Sequence, residues 1–314
     1  MSAPLFERIA VVGLGLLGGS VAAAARERGV AARVVAVSRG RETAAAAVAA
    51  GLAHEGTHDP VAGVAGTDLV VLCTPVFAMA EMLGRVGPAL AEGALVTDVG
   101  SVKSALVETL PGLLPPGVHY VGAHPMAGSH QTGLRHARAG LFEGAACVLT
   151  PTSATPPEAL ARVRSFWHAL GARVALREAA QHDAEVAWVS HLPHAVAFAY
   201  AESLAAAPAP AFALTGGGFR DFTRIAASDP ELWADILVTN RKALAGPLAA
   251  TARSLAGLAA AVEAGDLDAV QRVLAAAREG LARAGTGRDP GSHADARSGG
   301  QPGNSVAPEA AAKE

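Results

Sequence analysis

The chain is short of cysteine, of aromatic side chains and of net charge. Only Cys73 and Cys147 occur in 314 residues, too few for a disulfide framework or a cysteine-built zinc site. Both lie in apolar runs, LVVLCTP and GAACVLTP, and read as small buried hydrophobes in a protein of a reducing compartment. Aromatic residues make up 4% of the chain. The 25 basic and 28 acidic residues leave a formal charge of −3, with no basic stripe, which argues against a nucleic acid partner. The start, MSAPLFERIAVVG, has no charged segment leading into an apolar one, and no apolar run looks long enough to span a bilayer. The expectation is a cytoplasmic protein that engages no membrane.

What is present is alanine, glycine and a strong alternation of element types. RIAVVG (8–13), RVVAVS (33–38), DLVVLCTPV (68–76), ALVTDVGS (94–101), HYVGAHP (119–125) and ACVLTP (146–151) read as strands. Helical patterns such as GGSVAAAARERG (18–29) and RETAAAAVAAG (41–51) fall between them. Continuous apolar strands alternating with helices imply an α/β domain, its parallel sheet covered on both faces. One more strand, RVALRE (173–178), follows a proline-capped helix, and every long segment from Ala179 to about Ala284 reads as helix. The last stretch, GTGRDPGSHADARSGGQPGNSVAPEAAAKE, is too polar to bury a core and reads as disordered.

VVGLGLLGGS carries Gly13, Gly15 and Gly18 in a G-x-G-x-x-G spacing. The spacing alone is weak, but here it leaves a strand and opens a helix, the context a dinucleotide needs. Gly13 allows the tight turn, Gly15 lets backbone approach a pyrophosphate, and Gly18 lets helix pack on strand. The free N–H groups of the helix start, with Leu16 and Leu17, then face the phosphates. An acidic residue at the end of the second strand would hold a ribose 2′-hydroxyl. This chain has Ser38, Arg39, Gly40 and Arg41 there, and no carboxylate before Glu42. A hydroxyl and two guanidinium groups suit a 2′-phosphate, so NADP is expected ahead of NAD. Thr74 and Pro75, then Gly100 and Ser101, end further strands at the same carboxyl edge, where ligands of such sheets bind.

GAHPMAGSH (122–130) delivers His124 to that edge. A neutral imidazole beside a nicotinamide can accept the proton of an alcohol as its hydride leaves. Ser101 would orient the imidazole or touch the substrate. In the helical half, WVSHLPHAVAFAY places His191 and His194 three residues apart on one helical face. No third ligand is spaced around them for a metal, so they read as polar contacts to a substrate. In TGGGFRDFTRIAASDPELW (215–233), Gly216, Gly217 and Gly218 let a ligand approach backbone, Arg220 and Arg224 flank Asp221, and an arginine suits a substrate carboxylate. Ser228 or Asp229 caps the next helix, Pro230 begins it, and Trp233 reads as packing.

Taken together, GLGLLGGS, DVGSVK, HPMAGS, SHLPHAVAFA and GGGFRDFTRIAASDPELW resemble the prephenate and arogenate dehydrogenases of tyrosine biosynthesis. The resemblance runs from about Ile9 to Leu237 and rests on five motifs in order. It implies a Rossmann-type domain (1–155), a mainly helical substrate and dimerisation domain (156–285) and a tail (286–314). It implies a homodimer that oxidatively decarboxylates a cyclohexadienol with NADP or NAD. On this likeness His124 is the catalytic histidine on the ring hydroxyl, Ser101 supports it, Arg224 binds a substrate carboxylate and His194 lies close by. Ser129 and His191 are taken as further substrate contacts. Relatives gate the site with a glutamate where this chain has His130, so an acidic gate is not expected. Relatives also often carry a fused mutase or regulatory domain. The tail is too short for either, so tyrosine feedback is expected only as competition at the active site.

Prephenate is the expected substrate and arogenate the alternative. A β-hydroxyacid dehydrogenase would share the domain order but would need a lysine and an asparagine four apart where this chain has His191 and His194. A non-catalytic NADP-binding regulator would be expected to have lost His124 or Arg224, and both are present.

Overall fold

The computed structural model describes residues 3–128 and 131–285. Ser129, His130 and the segment read as a tail lie outside the described residues. Eight strands form one sheet: β1 (Phe6–Val12), β2 (Ala31–Val37), β3 (Glu55–Thr57), β4 (Leu69–Leu72), β5 (Leu95–Asp98), β6 (His119–Pro125), β7 (Ala146–Thr150) and β8 (Arg173–Leu176). Their order is β3-β2-β1-β4-β5-β6-β7-β8. Between them run helices α1 (Leu16–Glu27), α2 (Arg41–Ala49), α3 (Pro60–Val64), α4 (Val76–Val86), α5 (Ser104–Thr109) and α6 (Pro157–Ala169). Successive strand residues point to opposite faces. Ile9, Val11, Val34 and Ala36 therefore join one core with Phe166 and Trp167 of α6. Ala10, Val12, Val35 and Val37 join a second with Met79 and Leu83 of α4.

The first six strands are parallel and doubly wound. The chain reverses its winding between β1 and β4, and a ligand crevice opens outside the strand ends at such a switch point. Register aligns those ends. Val12 pairs with Val37 and with Leu72, and Leu72 with Asp98, so residues 13, 38, 73 and 99 share one edge. The all-parallel expectation fails at β7, which runs antiparallel to β6 with His124 opposite Val148. Among the described residues, the connection before β7 holds only two short 3₁₀ turns, Leu134–His136 and Ala139–Phe142, and a parallel return needs a longer crossover. The consequence is local: the end of β6 is hydrogen-bonded to a neighbour right through His124. The short edge strand β3 escapes sequence reading because Glu55–Thr57 has no apolar run.

After β8 come α7 (Ala179–Val186), a π-helical turn Ala187–His191, α8 (Leu192–Ser203), α9 (Gly217–Thr223), α10 (Pro230–Thr239), α11 (Arg241–Glu263) and α12 (Leu267–Arg283). Asp229 caps α10 by accepting from the Glu231 and Leu232 N–H groups, and Pro230 is its first residue. The chain divides into two compact units, residues 1–250 and 251–314; the site described below lies in the first. One correction concerns α11. It has 23 residues, an 18-residue stretch of which has a mean hydropathy of 1.2, and is long and apolar enough by length and composition to cross a membrane. Arg253 interrupts the apolar run, which is why it does not stand out in the sequence.

Candidate active site

The glycine turn is built as its spacing requires. Gly13 has φ +101°, where a side chain is strained, and its Cα lies against the Cys73 backbone. A Cβ on Gly18 would fall 1.8 Å from the Gly13 carbonyl oxygen, so only glycine lets α1 start here. Gly15, the N-cap of α1, faces open space, and no acidic residue sits in the first turn. The opening N–H groups of α1 are left for an anion.

A crevice of about 600 Å³ runs from this turn. Gly15, Leu16, Leu17 and Gly18 line one end, and Thr74, Pro75, Gly100 and Ser101 follow along the strand ends. His124 stands in the middle, and His194, Arg224 and Trp233 close the helical side. Most of the expected site residues thus meet in one space. Ser38, Arg39 and Arg41 lie outside it, at the end of β2 beside the glycine turn, and the Arg41 guanidinium is 3.2 Å from His58 Nε2. Cys73 is only half-buried and lines the crevice, whereas Cys147 is buried; burial pushes both thiols up. The Thr74 hydroxyl is buried there without a hydrogen-bond partner.

Beneath the crevice lies a buried polar cluster. Asp98, at the end of β5, accepts from the Gly100 N–H (2.7 Å), the Tyr120 hydroxyl (2.8 Å) and the Ala123 N–H (3.0 Å). It also pairs with the Lys103 ammonium, which donates to the Ala123 carbonyl at 2.8 Å. Asp98 and Lys103 thereby clamp the backbone of the residue before His124. Lys103 is fully buried. Burial lowers its pKa and the Asp98 carboxylate opposes that.

His124 itself is held differently from the expectation. Ser101 lines the crevice, but the ring nitrogen Nδ1 of His124 is 2.8 Å from Nε2 of His182. His182 Nδ1 lies 2.8 Å from Asp183 Oδ1. Burial, followed by the neighbouring His182, Lys103 and His191, holds the His124 pKa well below the ordinary 6.5, so the imidazole is neutral and has a nitrogen free to accept a proton. Sequence reading passed over His182, Asp183 and Asn240. The available signal was a polar pair on a helix stripe otherwise apolar: His182, Asp183, Val186 and Ala187 are the buried positions there.

His191 and His194 both pack on Trp233, with ring centroids 6.1 Å and 3.6 Å away. His191, the last residue of the π turn, is fully buried, and Asn240 Nδ2 donates to its Nδ1 at 2.8 Å. His194 lines the crevice, donates from Nδ1 to the Ser190 carbonyl (2.9 Å) and stacks on Trp233 at 3.6 Å and 15°. Trp233 is thus part of the crevice wall. Gly217 also falls outside the lining, because α9 reaches the crevice only where it ends, at Arg224.

His191 yields a stability prediction. Burial pushes its pKa down to about 4 from 6.5. The unfolded chain therefore binds this proton first as pH falls. Stability from the neutral ring is complete above 6.5 and is lost as pH drops toward 4, on the order of 3 kcal/mol. Thermal melts should show Tm falling between pH 7 and pH 4.5. A flat Tm over that range would mean the ring is protonated within the folded protein.

Comparison with known proteins follows the same division of labour. Residues 21–176 match the family model for the prephenate dehydrogenase nucleotide-binding domain, and residues 178–276 match that for the prephenate dehydrogenase dimerization domain. The chain is 36% identical over 244 residues to a cyclohexadienyl dehydrogenase of Zymomonas mobilis, covering 76% of this chain and 83% of that protein. It is 35% identical over 244 residues to a prephenate dehydrogenase of Bacillus subtilis, covering 75% of this chain and 64% of that one. Among solved structures, prephenate dehydrogenase from A. aeolicus, in complex with hydroxyphenyl propionate and NAD+, superposes with a TM-score of 0.80 at 33% identity, over 88% of this chain and 98% of that chain.

Proposed function

Because this chain belongs to the prephenate dehydrogenase family, we propose that it converts prephenate to 4-hydroxyphenylpyruvate by oxidative decarboxylation with NAD(P)+, as a step of tyrosine biosynthesis. The observation that carries this reading is the meeting of a neutral, buried His124 with Arg224 in the crevice that begins at the glycine turn. The nicotinamide, when bound, supplies the hydride acceptor.

Two features of the chain fit the cofactor. Gly15 opens on free space at the start of α1, the place for a pyrophosphate, and the Thr74 hydroxyl is an orphan polar group along the same wall. Gly13, Gly15, Leu16, Leu17, Gly18, Thr74, Pro75 and Gly100 would hold the dinucleotide. Ser38, Arg39 and Arg41 support a preference for NADP, since they offer a hydroxyl and two exposed guanidinium groups where a ribose phosphate would sit.

The substrate brings a ring hydroxyl, a ring carboxylate and a side-chain carboxylate. His124 accepts the hydroxyl proton as the ring carbon gives up hydride, and aromatisation drives off CO2. Arg224, at the mouth, pairs with a carboxylate. His194 and Trp233 form the wall that the ring meets, and Ser101 lies between His124 and the nucleotide side. Exposed Trp188, Val189 and Val238 on the helical half are the surface on which we place a homodimer. A cytoplasmic setting suits the reaction.

Initial rates with prephenate or arogenate, each with NADP+ or NAD+, test the whole reading. Prephenate with NADP+ should give the highest kcat/KM. Faster reduction of NAD+ would overturn the role given to Ser38, Arg39 and Arg41. Activity confined to arogenate would move the enzyme one substrate over, to formation of tyrosine itself.

A further inference from the structure

We propose that Asp183, His182 and His124 form a closed proton relay, in which His182 positions His124 and stores the proton that His124 takes from the substrate. This rests on the reaction given above.

The hydrogen-bond partners fix the tautomers. Asp183 accepts from the backbone N–H groups of Lys103 and Ser104, both at 2.8 Å. Burial raises its pKa, but the bonds from His182, Ser104 and Lys103 outweigh that and hold the carboxyl below its usual range, ionised. His182 Nδ1 must then be the donor toward Asp183. In a neutral ring its Nε2 is left bare and can only accept, so His124 donates from Nδ1. The remaining nitrogen, His124 Nε2, carries a lone pair. A base is thereby prepared by two histidines and one carboxylate in series.

The same series explains where the proton goes. Burial, then His182, Lys103 and His191, oppose a positive charge on His124, while His182 Nδ1 lies 2.8 Å from the Asp183 carboxylate. Once His124 Nε2 takes the substrate proton, transfer from His124 Nδ1 to His182 Nε2 places the charge beside Asp183. His182 is 1% and Asp183 4% exposed, and the carboxylate is held by His182, by the Lys103 and Ser104 N–H groups and by the Ser104 side chain. Asn240 Nδ2 closes the back of the helix by donating to the Asp183 carbonyl at 2.9 Å.

A buried store is what this chemistry needs. Loss of hydride to the nicotinamide turns the ring carbinol toward a ketone, and its hydroxyl proton moves to His124. Loss of the ring carboxylate as CO2 leaves the C–C bonding pair in the ring. That pair restores aromaticity and returns negative charge to the oxygen, which takes the same proton back as a phenol. Nothing is released to water overall, so a buried store for one proton suffices.

The test has two arms. Imidazole ¹⁵N spectra of the free protein should show His124 and His182 each protonated at Nδ1 and bare at Nε2. A bare Nδ1 on His124 would overturn the relay whatever the substrate. In H182Q, a side-chain carbonyl can still accept from His124 but cannot store a proton. Its kcat should fall about 10- to 100-fold, within the range of general acid–base effects, while KM and Tm stay near those of the unaltered enzyme. An unchanged kcat would overturn proton storage. Losses of KM and Tm in step with kcat would reduce His182 to a structural part. Silence of the unaltered enzyme with both prephenate and arogenate would instead overturn the reaction on which the relay rests.

Discussion

His124→Asn is expected to lower kcat by about 10²- to 10⁴-fold and to leave nucleotide affinity unchanged. An asparagine amide can stand where the imidazole Nδ1 stood and keep a donor toward His182 Nε2, 2.8 Å away in the native arrangement. It has nothing to offer in place of Nε2, the basic atom. The clamp on Ala123 by Asp98 and Lys103 is independent of the side chain at 124, so the end of β6 should stay in place. The glycine turn and the wall at Thr74 are likewise untouched. Steady-state rates, paired with titration of nucleotide fluorescence, separate the two effects. An unchanged kcat would remove His124 from the chemistry, and a lost nucleotide affinity would show that the residue shapes the crevice instead.

The second large effect is expected at Arg224. This residue ends α9 at the mouth of the crevice, close enough to His194 to lower its pKa, behind burial and against the Ser190 bond. It is exposed until a substrate covers it. A charge-assisted pair with a carboxylate that becomes desolvated on binding contributes roughly 2–3 kcal/mol, so Arg224→Ala should raise KM for prephenate by about 30- to 150-fold. Because the bond is present in both ground and transition states, kcat should change far less. Arg220 is the control: its guanidinium is already engaged with the Thr215 carbonyl at 3.1 Å. A KM that moves with Arg220→Ala and not with Arg224→Ala would place the carboxylate on the other side of α9.

How far these residues could be read from sequence depended on how local their signals were. The glycine turn, HYVGAHP and the DPELW helix start are short-range devices, in which strand, turn and cap are set by residues next to one another. Their positions in the structure match the spacing, down to β6 covering His119–Pro125 and the Asp229 cap. The direction of β7 depends on how the chain returns from β6, a tertiary matter that no strand pattern encodes. The π turn at Ala187–His191 ends at His191 and leaves the three-residue spacing to His194 intact, so both rings pack on Trp233. His182 and Asp183 stayed hidden because their partners, His124, Lys103 and Ser104, lie 58 to 80 residues away in sequence.

That π turn also alters how this chain must be lined up with plain helices. A π turn holds one residue more than the α-helical turn it replaces, and each residue of an α-helix advances by about 100°. The surplus residue therefore acts as a phase shift: everything from Leu192 onward is rotated by about a quarter turn against the frame that α7 establishes. Removing Ala187 would delete the shift without deleting any functional group. His194 would then swing off Trp233, and the wall it forms with Arg224 would come apart although both residues remained. In this stretch the length of the chain is itself a specification, and an alignment that closes the bulge as a gap error would misassign every position of α8.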